Sequence, residues 1–201
     1  IELSSTGRLH VTGRSNQWYR FTDNPITVTA GAGWTAPVTD FSSGTQRAEL
    51  GVNGNTLYVL PSTGGQVSAV WKSIDGGLNW TNLGAPPPVS TGQPFANGQA
   101  TYDLAVAVNP ANPDECIIGG IDNAKTTNGG ASWTILSRWV GTTGQYVHAD
   151  QHFSLWYDNG NKLLFGCDGG IHYSSDGGTT IRDRNIGLRL KQFYACDIHP
   201  T

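Results

Sequence analysis

The chain has 201 residues, 37% hydrophobic and 13% charged, which is enough apolar material for a sizeable core and too little charge for a disordered segment. A formal net charge of -3 offers no basic stripe to neutralise phosphates, so nucleic acid is not an expected partner. Apolar runs stop at pieces such as LAVAV, far below the roughly 20 residues that span a bilayer, so no transmembrane segment is expected. The first residue is not Met and no signal-like stretch follows it, so the chain is expected to be a fragment of a longer mature protein. Three cysteines, Cys116, Cys167 and Cys196, are an odd number without metal-ligand spacing, and are expected as buried free thiols.

Taken in order, the chain is a series of short β-branched and aromatic runs bounded by Gly, Asn or Pro. LHVTG and QWYRF lead to TDNP at 22–25. TQRAELGV, TLYVLP and SAVWKS follow, and the last runs into SIDGGLNW at 73–80. A Pro/Gly-rich stretch without charge, 84–99, separates these from YDLAVAV, ECIIGG and AKTTNGGASW. VHADQHFSLWY, KLLFGC and GIHYS then lead to SSDGGTTI, and KQFYACDI at 191–198 lies near the end. Each run reads as a strand of about five residues, and 84–99 as a surface loop long enough to overhang its neighbours.

The runs repeat. WKSIDGGLNW at 71–80 aligns with AKTTNGGASW at 124–133, with HYSSDGGTTI at 172–181 and, more weakly, with YRFTDNPITV at 19–28. The aligned turn residues Asp23, Asp75, Asn128 and Asp176 are 52, 53 and 48 residues apart, a period that signals an array of similar supersecondary units. At each turn a side-chain oxygen can accept backbone N–H groups, and Gly-Gly supplies positive φ. A calcium-binding role is excluded, because no further oxygen ligands and no closing Glu follow. Trp71, Trp80 and Trp133 fit the core of the units, whereas Trp18, Trp34 and Trp139 are candidates to stack on sugar rings.

This pattern resembles the Asp-box, Ser/Thr-x-Asp-x-Gly-x-Thr/Ser-Trp, of sialidase, sortilin and BNR-repeat β-propellers. The resemblance implies an all-β fold: a β-propeller with Asp-box hairpins joining the two outer strands of each blade, with about four consecutive four-stranded blades. The expected division is 1–40 as an incomplete blade, 41–90, 91–143 and 144–190 as blades, and 191–201 as the start of another, all within one propeller domain. Closing such a ring would need further blades of the same chain or a partner chain, since open sheet edges are exposed. In order, SGTQRAEL, YDLAVAVNPANPDE, YVHADQH, GCDGGIHYSSDGG and GLRLKQFY are also similar to secreted bacterial exo-α-sialidase-like, BNR-repeat glycosyl hydrolases, with Cys167 and Asn128 as departures. Secretion or cell-surface display is what that likeness implies.

A propeller blade turns its first strand to the central channel. That places Gln46, Arg47, Glu49, Tyr102, Asp103, His148, Asp150, His152, Gln192 and Tyr194 near one axis. Alternation along VHADQH would put His148, Asp150 and His152 on one face, as a hydrogen-bonded network, a metal site or a glycan-contacting cluster. Asp103 and Asp150 are the candidate carboxylate pair for glycoside hydrolysis. Arg47, Glu49, Tyr102, His148, His152, Gln192 and Tyr194 are the candidate substrate contacts. No cofactor or metal is expected. Sialidases use a Tyr nucleophile and three arginines on the substrate carboxylate. Here only Arg47 enters the channel and the Arg-Ile-Pro signature is absent, so a complete sialidase site is not expected. Two readings stand: an extracellular carbohydrate-active protein of the glycoside hydrolase type, or a non-catalytic module that binds glycans or proteins through the same face.

Overall fold

The computed structural model describes residues 1–13, 19–29, 32–39, 41, 44–141 and 144–188. The described residues form four antiparallel sheets and no helix. The first sheet holds β1 (Glu2–Leu3), β2 (Leu9–Thr12) and β3 (Tyr19–Thr22) in the order β1-β2-β3. In the second, β4 (Arg47–Asn53), β5 (Thr56–Thr63), β7 (Trp71–Ser73) and β8 (Thr81–Asn82) lie side by side, and β6 (Gln66–Val67) pairs with β5. The third runs β9 (Ala105–Val108), β10 (Cys116–Gly119), β11 (Asn123–Thr126), β12 (Thr134–Ile135). The fourth runs β13 (Gln151–Tyr157), β14 (Lys162–Cys167), β15 (Gly170–Ser174), β16 (Arg182–Asp183).

Sequential antiparallel pairing makes each sheet an up-and-down unit, and strand alternation sorts its side chains between two faces. On β5, Leu57 and Val59 turn back to join Tyr19 and Phe21 of the first sheet, while Tyr58 and Leu60 turn forward to Leu104, Val108, Cys116 and Ile118 of the third. On β10, Ile117 turns forward to meet Trp156, Leu163 and Phe165 of the fourth. The sheets therefore stack as consecutive blades with a dry layer between each pair. Burying each such aliphatic or aromatic side chain contributes about 1.5–3 kcal/mol. The first strands β4, β9 and β13 lie against one another, and this is the axial side of the stack.

Each full Asp-box joins the third and fourth strands of its sheet. Ser73 Oγ donates to Asp75 Oδ1 (2.8 Å) and accepts from Gly77 N–H (2.9 Å), while Asp75 Oδ1 accepts the amides of Leu78 (3.1 Å) and Asn79 (2.9 Å). Thr126 with Asn128, and Ser174 with Asp176, repeat the arrangement: Gly130 and Gly178 donate to the hydroxyls, Ser132 and Thr180 to the turn side chains. Asn128 closes its turn as well as Asp does, because the bond needs only a carbonyl-type oxygen.

Asp23 corrects the expected pattern. Its carboxylate is taken by Arg8, with Nε–Oδ1 at 2.7 Å and Nη2–Oδ2 at 3.0 Å, and the next amide, Asn24, donates to Thr22 Oγ1 instead. The aligned position of the box hydroxyl is Phe21, so this turn lacks the hydroxyl as well as the Gly-Gly. The place of its fourth strand is held by an isolated bridge between Phe21 and Thr35.

The 84–99 stretch is more than a surface excursion. Phe95 and Ala96 are buried in the layer between the second and third sheets, Val89 is buried as well, and Ser90 N–H donates to Asp122 Oδ2 (2.7 Å). Among the tryptophans, Trp80 is buried and Trp71 and Trp133 pack partly buried against the cores, whereas Trp139 is 40% exposed. Trp18 lies outside the described residues. Cys116 and Cys167 are free thiols, the first buried and the second half-buried, and burial pushes both thiols up; Cys196 lies outside the described residues.

Candidate functional site

The starts of β4, β9 and β13 and the β14–β15 turn come together at one end of the stack, because a strand that leaves in one direction is followed by one that returns. Arg47, the first residue of β4, organises this end. Its Nη1 donates to Tyr102 O (2.8 Å) and its Nη2 to Leu104 O (3.3 Å) and Glu49 Oε2 (3.1 Å). The guanidinium thus pins the 102–104 backbone of the next blade from both sides of Asp103. Arg47 here is a structural clamp with its own carboxylate partner.

Asp103 is fully buried, and neither carboxyl oxygen has a hydrogen-bond partner. Burial first, then the nearby Asp150 carboxylate, pushes its pKa up to about 8. Asp150 is raised too, by burial and by Asp168, while its Oδ1 accepts a hydrogen bond from Gln99 Nε2 (3.1 Å). Glu49 is raised by burial, which outweighs the opposing pull of Arg47. Glu2, on the first strand of the first blade, is likewise raised by burial, with Glu49 adding to it. A line of carboxyls therefore follows the axial side from blade to blade.

The accessible part of the cluster is built on Asp168. Tyr102 Oη donates to its carboxylate at 3.0 and 3.1 Å, His152 Nε2 lies 2.7 Å from its Oδ1, and the Tyr102 and His152 rings meet edge to face at 4.7 Å. The His152 and Asp168 side chains remain 35% and 25% exposed, which lets a ligand reach them.

His148, Asp150 and His152 do not share a strand face. Regular pairing starts only at Gln151, Asp150 adopts φ 65°, and the register slips between Gln151 and Phe153. This β-bulge re-aims His152 toward Asp168, as bulges beside functional sites do. The left-handed backbone of Asp150 carries strain of order 1–3 kcal/mol. His148 is exposed; its Nδ1 is 3.1 Å from its neighbour's carbonyl, Ala149 O, and its ring packs over Gly169. Gln46 Oε1 accepts the Gly64 amide. Gln192 and Tyr194 lie outside the described residues. Among the described residues no group of three or more His, Cys, Asp or Glu side chains has metal-binding geometry.

Asp168, Gln99 and Glu2 join the site although their sequence context does not single them out. Asp168 sits in the hairpin between the second and third strands, and hairpin topology alone returns that turn to the end where the first strand begins. Gln99 closes a loop that reads as inert until its packing is known.

No family model matches the chain, and no curated protein matches it. Among solved structures, YCF48 from Cyanidioschyzon merolae is similar with a TM-score of 0.57 at 14% identity, over 90% of this chain and 53% of that one. A chain of a nidogen/laminin complex gives 0.54 at 10% identity, over 85% of this chain and 57% of its own length. An ancestral GH74 enzyme gives 0.52 at 14%, over 86% of this chain and 22% of the enzyme. The chain thus spans about half the length of YCF48. At these identities the likeness is one of fold. The chain is an all-β, propeller-like protein of consecutive antiparallel blades that do not close into a ring among the described residues.

Proposed function

We propose that the chain is a glycan-binding propeller module of an exported protein, engaging its ligand at the axial end through Asp168, His152, Tyr102 and Asp150. The observation that carries this reading is the division of the cluster into an accessible and a buried layer. Asp168, His152 and Tyr102 present mutually fixed acceptors and donors beside an aromatic ring, which suits the alternating hydroxyls and C–H faces of a sugar. Asp103 lies buried, with the partly exposed Arg47 and Glu49 pair beside it. A fully buried Asp103 cannot pass its proton to a substrate.

One observation favours the hydrolase reading as a second. A carboxyl held protonated at neutral pH beside another carboxylate is the electrostatic signature of an acid and base pair. For Asp103 to act so, its buried carboxyl would have to become accessible to the substrate.

Screening immobilised glycans, followed by calorimetric titration of hits, tests the first reading, and a panel of chromogenic glycosides tests the second. D168N is expected to weaken glycan binding at least tenfold, D103N to leave it within about threefold, and neither protein to turn over glycosides. Turnover that D103N abolishes would replace the binding reading with the hydrolase one. Absence of binding to every glycan would remove the glycan assignment and leave a protein ligand for this face.

A further inference from the structure

The 99–103 turn that leads into β9 grips the fourth blade with two side chains. Gln99 O closes the turn by accepting the Tyr102 and Asp103 amides (2.6 and 3.1 Å). From the same turn, Gln99 Nε2 donates to Asp150 Oδ1 (3.1 Å) and Tyr102 Oη donates to Asp168 Oδ1 (3.0 Å). The two carboxylates so held belong to neighbouring backbone, since Asp168 N–H donates to Asp150 O (3.3 Å). Asp150 and the Asp168 side chain are both partly exposed, so they form one accessible acidic pair.

What this pair lacks is a cation. Arg47 acts on Asp103, but its guanidinium is committed to Glu49 and to the Tyr102 and Leu104 carbonyls. Lys72, Lys125 and Lys162 pair with Asp114, Glu115 and Asp158 instead. His152 and His148 offset the charge of Asp150 only when they are protonated. The independent sign that a positive charge belongs here is Asp103, in the turn whose Gln99 and Tyr102 hold the pair. It is fully buried, and both its oxygens lack a hydrogen-bond partner. Burial, then the charges of Asp150 and Asp168, favour its neutral form. A cation on the accessible pair offsets the charge that all three carboxyls share, whereas an anion adds to it. The Tyr102 and His152 rings, edge to face at 4.7 Å, stand beside Asp168 and can take both the C–H face of a sugar and a positive charge.

We infer that this site selects carbohydrates that carry a free amine, such as a 2-amino-2-deoxy sugar whose ammonium pairs with Asp150 and Asp168, and that it rejects acidic sugars. The inference rests on the glycan-binding reading above and names the class of glycan. An amine fixed to a sugar ring brings its charge and an apolar C–H face to the site together. A lysine side chain carries the same charge on a flexible stem, at a greater cost in ordering.

The test is calorimetric titration of the 201-residue chain near pH 6 with three oligosaccharides of equal length: β-1,4-linked glucosamine, its N-acetylated form and an oligogalacturonate. Acetylation removes the charge of the amine and keeps the sugar ring. The glucosamine oligomer is expected to bind roughly tenfold tighter than the acetylated one, the size of one charge-assisted hydrogen bond, and the oligogalacturonate is expected not to bind. Raising sodium chloride from about 20 mM to about 0.5 M should shrink the advantage of the amine. D150N should reduce the ratio between the first two sugars to about threefold or less. Asn suits the left-handed backbone at this position and its amide oxygen can still accept from Gln99, so the variant keeps the fold. Equal affinities for the amine and its acetylated form, or tighter binding of the acidic oligomer, would overturn the inference and leave the glycan reading standing. Binding that requires millimolar calcium would also overturn it, assigning the carboxylates to a metal ion. A tetralysine peptide that binds as tightly as the amino sugar would assign the site to a basic protein segment instead. Absence of binding by all three oligosaccharides would overturn the inference together with the glycan reading.

Discussion

A buried carboxyl with two unpartnered oxygens holds its proton, and Asp103 does so against a usual value of 3.8 by rising to about 8. The consequence is a pH dependence of stability with a definite sign. Between these two values the folded chain keeps a proton that the unfolded chain has released, so stability falls as pH climbs from about 4 to about 8, by up to about 1.4 kcal/mol per unit. D103N removes the titration and its amide can donate toward Asp150 or Asp168. Its melting temperature should match wild type near pH 5 and exceed it by several degrees at pH 8, measured by calorimetry across that range. Parallel profiles for the two proteins would mean that another group titrates. Asp168, by contrast, is bonded by Tyr102 and His152 and is partly exposed, so it is the group available to a ligand.

At the scale of the element, the Asp-box turns stand on their own hydrogen bonds. Burial pushes Asp75 up, but the bonds from Asn79, Ser73 and Leu78 outweigh it and hold the carboxyl below the usual range. The buried hydroxyl of Ser73 joins the aspartate to the Gly77 amide, so S73A leaves that amide without a partner. Loss of about 1–2 kcal/mol is expected, read as a melting point roughly 3–6 °C lower. N128D should change stability by less than about 0.5 kcal/mol in the same assay, since Oδ1 makes the turn bond in either residue and Ser132 can donate to a carboxylate. These turns were legible in the sequence because their bonds are local: none joins residues more than four positions apart. The β13 start was not legible, since the bulge at His152 and the left-handed Asp150 arise from packing against the third blade and the 168–170 turn, which periodicity does not encode.

At the scale of the whole molecule, stability comes from the contacts between blades, and the second glycine of each box is one of the places where these are tight. Gly130 has φ +89° and no room for a Cβ against Leu83. G130A combines backbone strain with overpacking, and denaturant unfolding should show a loss of about 2–4 kcal/mol. An equal loss in a G130A/L83A double variant would show strain alone, whereas recovery of about 1 kcal/mol or more would show that the clash with the preceding blade contributes.

The sequence by itself determined the repeat, the strands and the three Asp-box hairpins, because a period near fifty and a Ser/Thr-x-Asp/Asn-x-Gly-Gly turn are written in adjacent residues. It also offered Arg47, Tyr102, Asp103, Asp150 and His152, among others, as candidates near one axis. Only the tertiary structure decided what each of them does. Arg47 became a clamp on a neighbouring backbone, Asp103 was sealed from solvent, and Asp168 and Gln99 entered from a hairpin and a loop. The physical reason is that hydrogen bonds within a turn depend on neighbours in sequence, whereas burial, charge coupling and blade contact depend on residues about fifty positions apart that only folding brings together.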